Sequence, residues 1–564
     1  MNGAYLLLGV SACFLLGYRF FAKWLEGKLG VDPSKPTPAV VKNDGCDYVP
    51  AHPTVLFGHH FAAIAGAGPI VGPVLAAEFG WAPVVCWILF GCIFIGAAHD
   101  MIAMFLSVRH EGQSIGAVIG TILGKPGKIM FLLFSWSALV LVVAEFNRQI
   151  AGTFVADPAI ATASLLFIVE AVLFGFCVYR WKMSVLVASL IFVPVMFAFV
   201  WVGNVLPFDL VKLFGWSPET VRMVWTLVII AYCFVASTCP VQFLLQPRDY
   251  LNAYLLYVMM AFGFLGVFIS HPTLHIDAFA GFSAVGRAGT SDLLFPFLFI
   301  TVACGACSGF HALVASGTSS KQVSNERSIR PIAYGGMLLE GVLATIGLIG
   351  VAGTYMSQQE YVTAIQGMEP VQMFASTIGG LCVKLFTGVG MSAEFGTRMA
   401  ESFILLSVSA FLMTSVDAGT RLARFSWQEL VGAPKAGASF VKRGAYNMYV
   451  GTFIVCALMA TLLLGNPVVA KQLWTLFGGA NQLLASLTLL TATLWLVRNK
   501  KPGWVTAVPM VLMFGVSTWA LAKIFLSAIA SGEAIRFVSS GFLLALAAAL
   551  VVIAFAKGRK AVSA

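Results

Sequence analysis

The residues of this 564-residue sequence that could do chemistry stand inside long apolar runs, where an ionisable side chain is costly and marks a working position by default. His59 and His60 are adjacent, His99 is followed by Asp100, and His311 lies one helical turn from Cys307 and two from Cys304. Imidazole and thiolate together suit zinc or another borderline-soft metal, and a pair of histidines can hold a haem iron. The same histidines with Asp100 suit a proton relay, because imidazole titrates near neutral pH. A third use is structural, as buried rings bonded to carbonyls. Glu145 and Glu340 are the best carboxylates for receiving an ammonium group, although Glu145, Glu170 and Glu401 also fit the ends of their runs.

A second kind of site is made by the backbone itself. In the run 53–78, Ala65-Gly66-Ala67-Gly68-Pro69 is followed by Gly72-Pro73, so three glycines, two prolines and two alanines fall within nine positions. In the run 223–245, Ala236-Ser237-Thr238-Cys239-Pro240 is also rich in small residues and ends in proline. Glycine in a membrane helix commonly serves close packing, but this density reads as a discontinuous helix. A half-helix N-terminus offers amides to a carboxylate, and a half-helix C-terminus offers carbonyls to a cation. The candidate substrate contacts are therefore Gly66, Ala67, Gly68, Pro69, Ser237, Thr238, Cys239 and Gln242, with Glu145 and Glu340. Ser316, Thr318 and Ser319, at the inner end of the run 293–316, either complete a sodium site with carbonyls near Ala65 and Gly68 or only bond back to their own helix. His59, His60 and Asp100 join those hydroxyls as candidates for ion or proton coupling.

The elements that position these groups follow from composition. The chain is 59% hydrophobic and 10% charged, with mean hydropathy +0.90, whereas an average soluble domain is about 25% charged. So little charge cannot cover a soluble surface, which excludes a soluble enzyme, and continuous apolar runs exclude disorder. The runs are about 20 residues long without alternation, which argues for spanning helices rather than barrel strands. The net charge of +10 does not indicate nucleic acid, because the basic residues sit in short loops between apolar runs. The eleven cysteines are mostly isolated in apolar stretches and imply no disulfide framework. No phosphate-binding Gly-x-x-x-x-Gly-Lys-Ser/Thr loop and no nucleophile elbow occurs, so an ion gradient is the expected energy source.

The first run, 4–22, has Arg19 and Lys23 at its far end and no preceding basic residue, which reads as a retained helix with its N-terminus outside. Lys321, Arg327 and Arg330 on one side, and Arg421, Arg424, Lys435, Lys442 and Arg443 on the other, place two loops inside. An even number of spans must separate them, so 355–395 is expected as an external helical lid or re-entrant segment. The result is an all-α polytopic protein of about fifteen transmembrane helices with its C-terminus inside. Breaks in 53–78 and 223–245, in helices of opposite direction, fit core helices one and six of a five-plus-five inverted repeat. The expected organisation is a leading helix and cytoplasmic loop (1–52), a first repeat (53–204) and the main part of a second (205–354). The lid, last core helix and basic loop (355–444) follow, then about four trailing helices (445–564).

Several strings carry a family resemblance. Phe57-Gly58-His59-His60-Phe61 with Ala62 to Pro69, and Ala303-Cys304-Gly305-Ala306 with Ser308 to Leu313, resemble the signature of the carbon-starvation (CstA-type) peptide transporters. So do Gln246 to Asn252, Tyr334 to Glu340, Asp417 to Arg421, and Phe477-Gly478 with Ala480-Asn481-Gln482. The resemblance implies a LeuT-like secondary transporter of the bacterial inner membrane that moves small peptides or, in some members, pyruvate. Its partners would be the lipid bilayer, the substrate and, in a homo-oligomer, further copies of itself. The coupling ion would be a proton or sodium. A metal- or haem-containing redox protein is the competing class, built on His59, His60, His99, Cys304, Cys307 and His311.

Overall fold

Lipid offers no hydrogen bonds, so apolar runs of this length satisfy their backbone internally as helices. The computed structural model describes residues 1–44, 48–240, 244–287, 289, 291–388, 390–434, 439–465 and 467–562, with backbone alone at 467–472 and 557–562. A leading helix α1 (Gly3–Leu29) is followed by the half-helices α2 (Pro53–Ile64) and α3 (Gly68–Ala76) and by α4 (Trp81–Arg109). Next come α5 (Ile115–Ala156), α6 (Pro158–Tyr179), α7 (Val185–Val205), α8 (Pro218–Thr238) and α9 (Leu245–Ser270). A short hairpin, β1 (Ser283–Val285) with β2 (Ser291–Leu293), leads into α10 (Leu294–Thr301) and α11 (Gly309–Gly317). The remainder is α12 (Glu326–Thr354), α13 (Gln358–Gly367), α14 (Pro370–Gly388), α15 (Ala393–Val431), α16 (Met448–Leu464), α17 (Pro467–Arg498), α18 (Trp504–Ser531) and α19 (Ala534–Val562).

Among the described residues twelve helices are long and apolar enough to cross a membrane, and two bent pairs raise the number to 14. One bent pair is α2 with α3, which meet at 46°. Ala65 leaves the helix at φ −73°, ψ 57°, and the Gly66 amide folds back onto the Ile64 carbonyl at 2.7 Å. Pro69 then opens α3, where its missing amide costs nothing. Helices α10 and α11, each too short to cross alone, form a further broken pair.

Here the structure differs from the sequence-based expectation. The helix carrying Ala236 to Thr238 is continuous and simply ends there, with Pro240 past its terminus, where proline is common. The second discontinuity is instead 302–308, between α10 and α11. The half-helices pack crosswise, α2 on α11 and α3 on α10, so the two broken passages run antiparallel. The long helices α5 and α15 are likewise antiparallel: Lys128 pairs with Glu429 at 2.6 Å, and Thr153 meets Ser409 at 3.0 Å near the other end. The five-plus-five arrangement therefore consists of α2/α3, α4, α5, α8 and α9, answered by α10/α11, α12, α15, α16 and α17. The hairpin α6–α7 is inserted in the first set, and the trailing helices are two, α18 and α19. The run 293–316 is thus the partner of the first broken helix.

Helices α13 and α14 lie against the far end of α3. The Tyr361 hydroxyl donates to the carbonyls of Val74 (2.7 Å) and Leu75 (2.9 Å), and Gln358 Nε2 donates to those of Ala77 and Glu78, both at 3.0 Å.

Candidate functional site

The two breaks meet. A Cβ on Gly68 would overlap the Cys304 side chain, and one on Gly72 would stand 2.7 Å from the Thr301 carbonyl, so both positions need glycine for the close approach. A Cβ on Gly66 would lie 2.8 Å from Ser415 Oγ and 3.7 Å from the Phe146 ring. The Ser415 hydroxyl is buried and has no hydrogen-bond partner among the described residues. Helix α17 braces the second break. Asn481 accepts from the Phe310 amide at 2.8 Å and donates to Ser308 Oγ at 3.0 Å and Cys304 Sγ at 3.3 Å. It thereby caps α11, which its own Ser308 does not. Gln482 donates to the Phe299 carbonyl at 2.6 Å and Trp474 to that of Thr301 at 3.2 Å. Asn481 and Gln482 are helix links, the structural alternative for an intramembrane amide.

The first turn of α11 supplies His311 to a chain of fully buried titratable groups drawn from three helices. Asp100 of α4 is held between two imidazoles, Oδ1 to His99 Nδ1 and Oδ2 to His311 Nδ1, both at 2.8 Å. His311 Nε2 faces Glu340 Oε2 of α12 at 3.3 Å. An ionised Asp100 can only accept, so each ring presents an N–H at Nδ1. A neutral His311 then has a bare Nε2, and Glu340 approaches it favourably only with a proton between them. The pair therefore holds at least one proton when Asp100 is ionised.

His60 stands apart from this chain, its Nδ1 bonded to Ser319 Oγ at 2.8 Å, and His59 is half-buried. Cys307 is buried, and Cys304 faces Gly68 and Asn481. Among the described residues no group of three or more His, Cys, Asp or Glu side chains is placed to hold a metal ion. Of His59, His60, His99, Cys304, Cys307 and His311, which the zinc and haem expectations grouped, His99 and His311 meet on Asp100, and no three are placed to share a metal ion among the described residues. Ser316 and Thr318 bond back to the Ala312 (2.6 Å) and Val314 (3.0 Å) carbonyls, the alternative to a sodium site with Ala65 and Gly68.

Other expected contacts also fall elsewhere. Glu145 is buried and fully engaged by Arg148, at 2.7 and 3.0 Å, and by Gln149 at 2.8 Å, so it offers nothing to an ammonium. Ser237, Thr238 and Cys239 lie at the end of α8, whose last carbonyls are gripped by Arg421 (Ala236 and Cys239, 2.7 Å) and Arg424 (Ser237, 2.7 Å). Gln242 lies outside the described residues. Gly66, Ala67, Gly68 and Pro69 do line the first break. Sequence reasoning missed Ser415 and the knot around Glu369, whose partners are distant in sequence.

The strings that carried the family resemblance converge in space. Tyr334 to Glu340 reaches His311, Ala480-Asn481-Gln482 reaches Cys304 to Phe310, and Asp417 meets Arg248 at 2.5 Å. Residues 2–366 and 354–520 match the carbon starvation protein CstA family. The chain belongs to that family. Among curated CstA relatives, the peptide transporter CstA of Escherichia coli K12 is 34% identical, across 90% of this chain and 79% of its own length. The peptide transporter CstA of Bacillus subtilis 168 is 29% identical across 95% and 93%. The E. coli K12 pyruvate/proton symporter BtsT is 32% identical across 93% and 82%. Among solved structures, that of MhsT in complex with L-phenylalanine matches 85% of this chain and 99% of its own at 13% identity, with TM-score 0.46. This CstA-family chain is a multi-pass membrane protein of a bacterial transporter family.

Proposed function

We propose that this protein is a proton-coupled secondary transporter that takes small peptides across the bacterial inner membrane, with its N-terminus outside and its C-terminus in the cytoplasm. The observation that carries the reading is the chain His99–Asp100–His311–Glu340, whose His311 lies within one turn of the second break. Substrate at the paired breaks and a proton shared by His311 and Glu340 are then coupled through one short half-helix. A substrate carboxylate would meet the uncapped first turn of α3, which begins at Gly68. The back-bonded Ser316 and Thr318 favour a proton over sodium as the driving ion.

Pyruvate is the second reading, favoured by the resemblance to the pyruvate/proton symporter. Uptake of labelled dipeptide into proteoliposomes under an imposed pH gradient, with excess pyruvate as competitor, separates the two. Concentrative uptake of dipeptide that pyruvate does not displace is expected. A His311→Gln variant should lose proton-driven accumulation while retaining dipeptide exchange, because only the proton carrier has been removed. Uptake driven by sodium alone overturns proton coupling, and binding of pyruvate without dipeptide reverses the substrate assignment.

A further inference from the structure

A cavity of about 440 Å³ opens where the end of α5, the start of α6, the end of α7, α14 and the first turns of α15 meet. Its charged lining is Asp157, Asp209, Lys212, Arg398 and Glu401, joined by the amide of Gln372. Two of these groups have work already. Asp157 accepts from the Ala159 amide at 3.0 Å, and Asp209 accepts from the Val211 amide at 3.0 Å while lying 3.4 Å from the exposed Lys212. Arg398 and Glu401 make no hydrogen bond or ion pair among the described residues, yet both line the cavity three positions apart on one face of α15. An unused cation and an unused anion are therefore presented side by side to an open space.

The volume falls in the range of small-molecule sites, roughly 300–1,000 Å³, which suits a di- or tripeptide and would be largely unfilled by a three-carbon acid. Three carboxylates against two cations give a net charge of −1 with both signs present, which suits a zwitterion and disfavours a simple anion. Burial pushes the Asp157 carboxyl above its ordinary range, against Arg398, so an arriving ammonium would stabilise its charge. Helix α5 runs from Phe146, beside the first break, to Ala156 at this cavity, a rise of about 15 Å for ten residues. The cavity is therefore remote from the paired breaks and at the outer end of the helix in the orientation proposed above.

We propose that this cavity is an outer loading site for short peptides, with Arg398 receiving the terminal carboxylate and Glu401 the terminal ammonium. The assignment rests on the peptide reading of function and deepens it, because the site would select zwitterionic peptides over pyruvate before either reached the breaks.

The test uses the full chain in proteoliposomes with labelled trialanine, alongside equilibrium binding of the same probe in nanodiscs. Arg398→Gln and Glu401→Gln should each raise KM for trialanine about tenfold, the loss of one charge-assisted contact, with maximal rate within about twofold. N-acetyl-trialanine, which lacks the ammonium, should be a poor substrate of the unaltered protein and insensitive to Glu401→Gln. The charge-conserving Arg398→Lys and Glu401→Asp should recover most of the lost affinity, which a folding defect would not allow. If the unaltered protein takes up trialanine and both neutral variants keep its KM within about twofold, the loading site is wrong and the peptide reading stands. If the unaltered protein neither binds nor transports trialanine, the peptide reading falls and the site with it.

Discussion

Glu369, at the start of α14, ties the α13–α14 segment to the rest of the bundle through three guanidinium groups. Arg148 of α5 approaches at 3.2 Å, Arg222 of α8 at 3.2 Å and Arg287 of the hairpin turn at 2.8 Å. Its side chain is 11% exposed. Burial alone would raise this carboxyl, but Arg148, Arg287 and Arg222 outweigh it and hold it at about 2, against an ordinary 4.5. That depression corresponds to roughly 3 kcal/mol of docking energy at neutral pH, to be discounted somewhat because Arg222 is partly exposed. For a depressed carboxylate the stabilisation is complete above the ordinary value and is lost as pH falls through about 2. Glu369→Gln should therefore loosen residues 358–388 by the same amount at any pH from 6 to 8. An opening equilibrium raised on the order of 100-fold follows from that energy. Hydrogen–deuterium exchange of peptides from 358–388, in nanodiscs, reads it directly. Exchange within about threefold of the unaltered protein would show that the knot does not hold the segment.

Two further outcomes follow from the meeting of the breaks. Gly68→Ala should abolish uptake while leaving expression near normal, because its Cβ overlaps Cys304, and Cys304→Gly in the same chain should restore part of the rate; a double variant no better than the single one would refute direct contact. Asn481→Ala leaves the Phe310 amide and the Ser308 hydroxyl without their partner, a loss of about 1–3 kcal/mol that thermal unfolding of the purified protein should register. Asn481→Asp keeps the acceptor for Phe310 and should fall between the two.

The first break was legible because glycine and proline crowd Gly66 to Pro73, and Pro69 cannot continue a helix from the turn before it. The second was not, because Ala303-Cys304-Gly305-Ala306 contains no proline, and the cap that completes it comes from Asn481, some 170 positions away in sequence. The proline at 240 drew attention to the wrong place, since proline just past a helix end and proline within a broken helix look the same in one dimension. Glu145 misled for a similar reason: its burial was readable, but its engagement by Arg148 required knowing that both point the same way from α5.

The titratable cluster shows the same division between residue and partner. His99, Asp100, His311 and Glu340 could each be named from the sequence, whereas the departure of His60 toward Ser319 could not. That departure leaves Asp100 with two imidazoles, one on its own helix and one seven residues beyond Cys304, the side chain pressed against Gly68. A movement that parts Gly68 from Cys304 must either carry His311 away from Asp100 and Glu340 or drag α4 and α12 with it. In the first case the proton shared with Glu340 loses its second partner and becomes free to leave. In the second the four buried groups move together with the Gly68–Cys304 contact. On the proposed reading, the first case would link occupancy of the breaks to the protonation of His311, and the second would not.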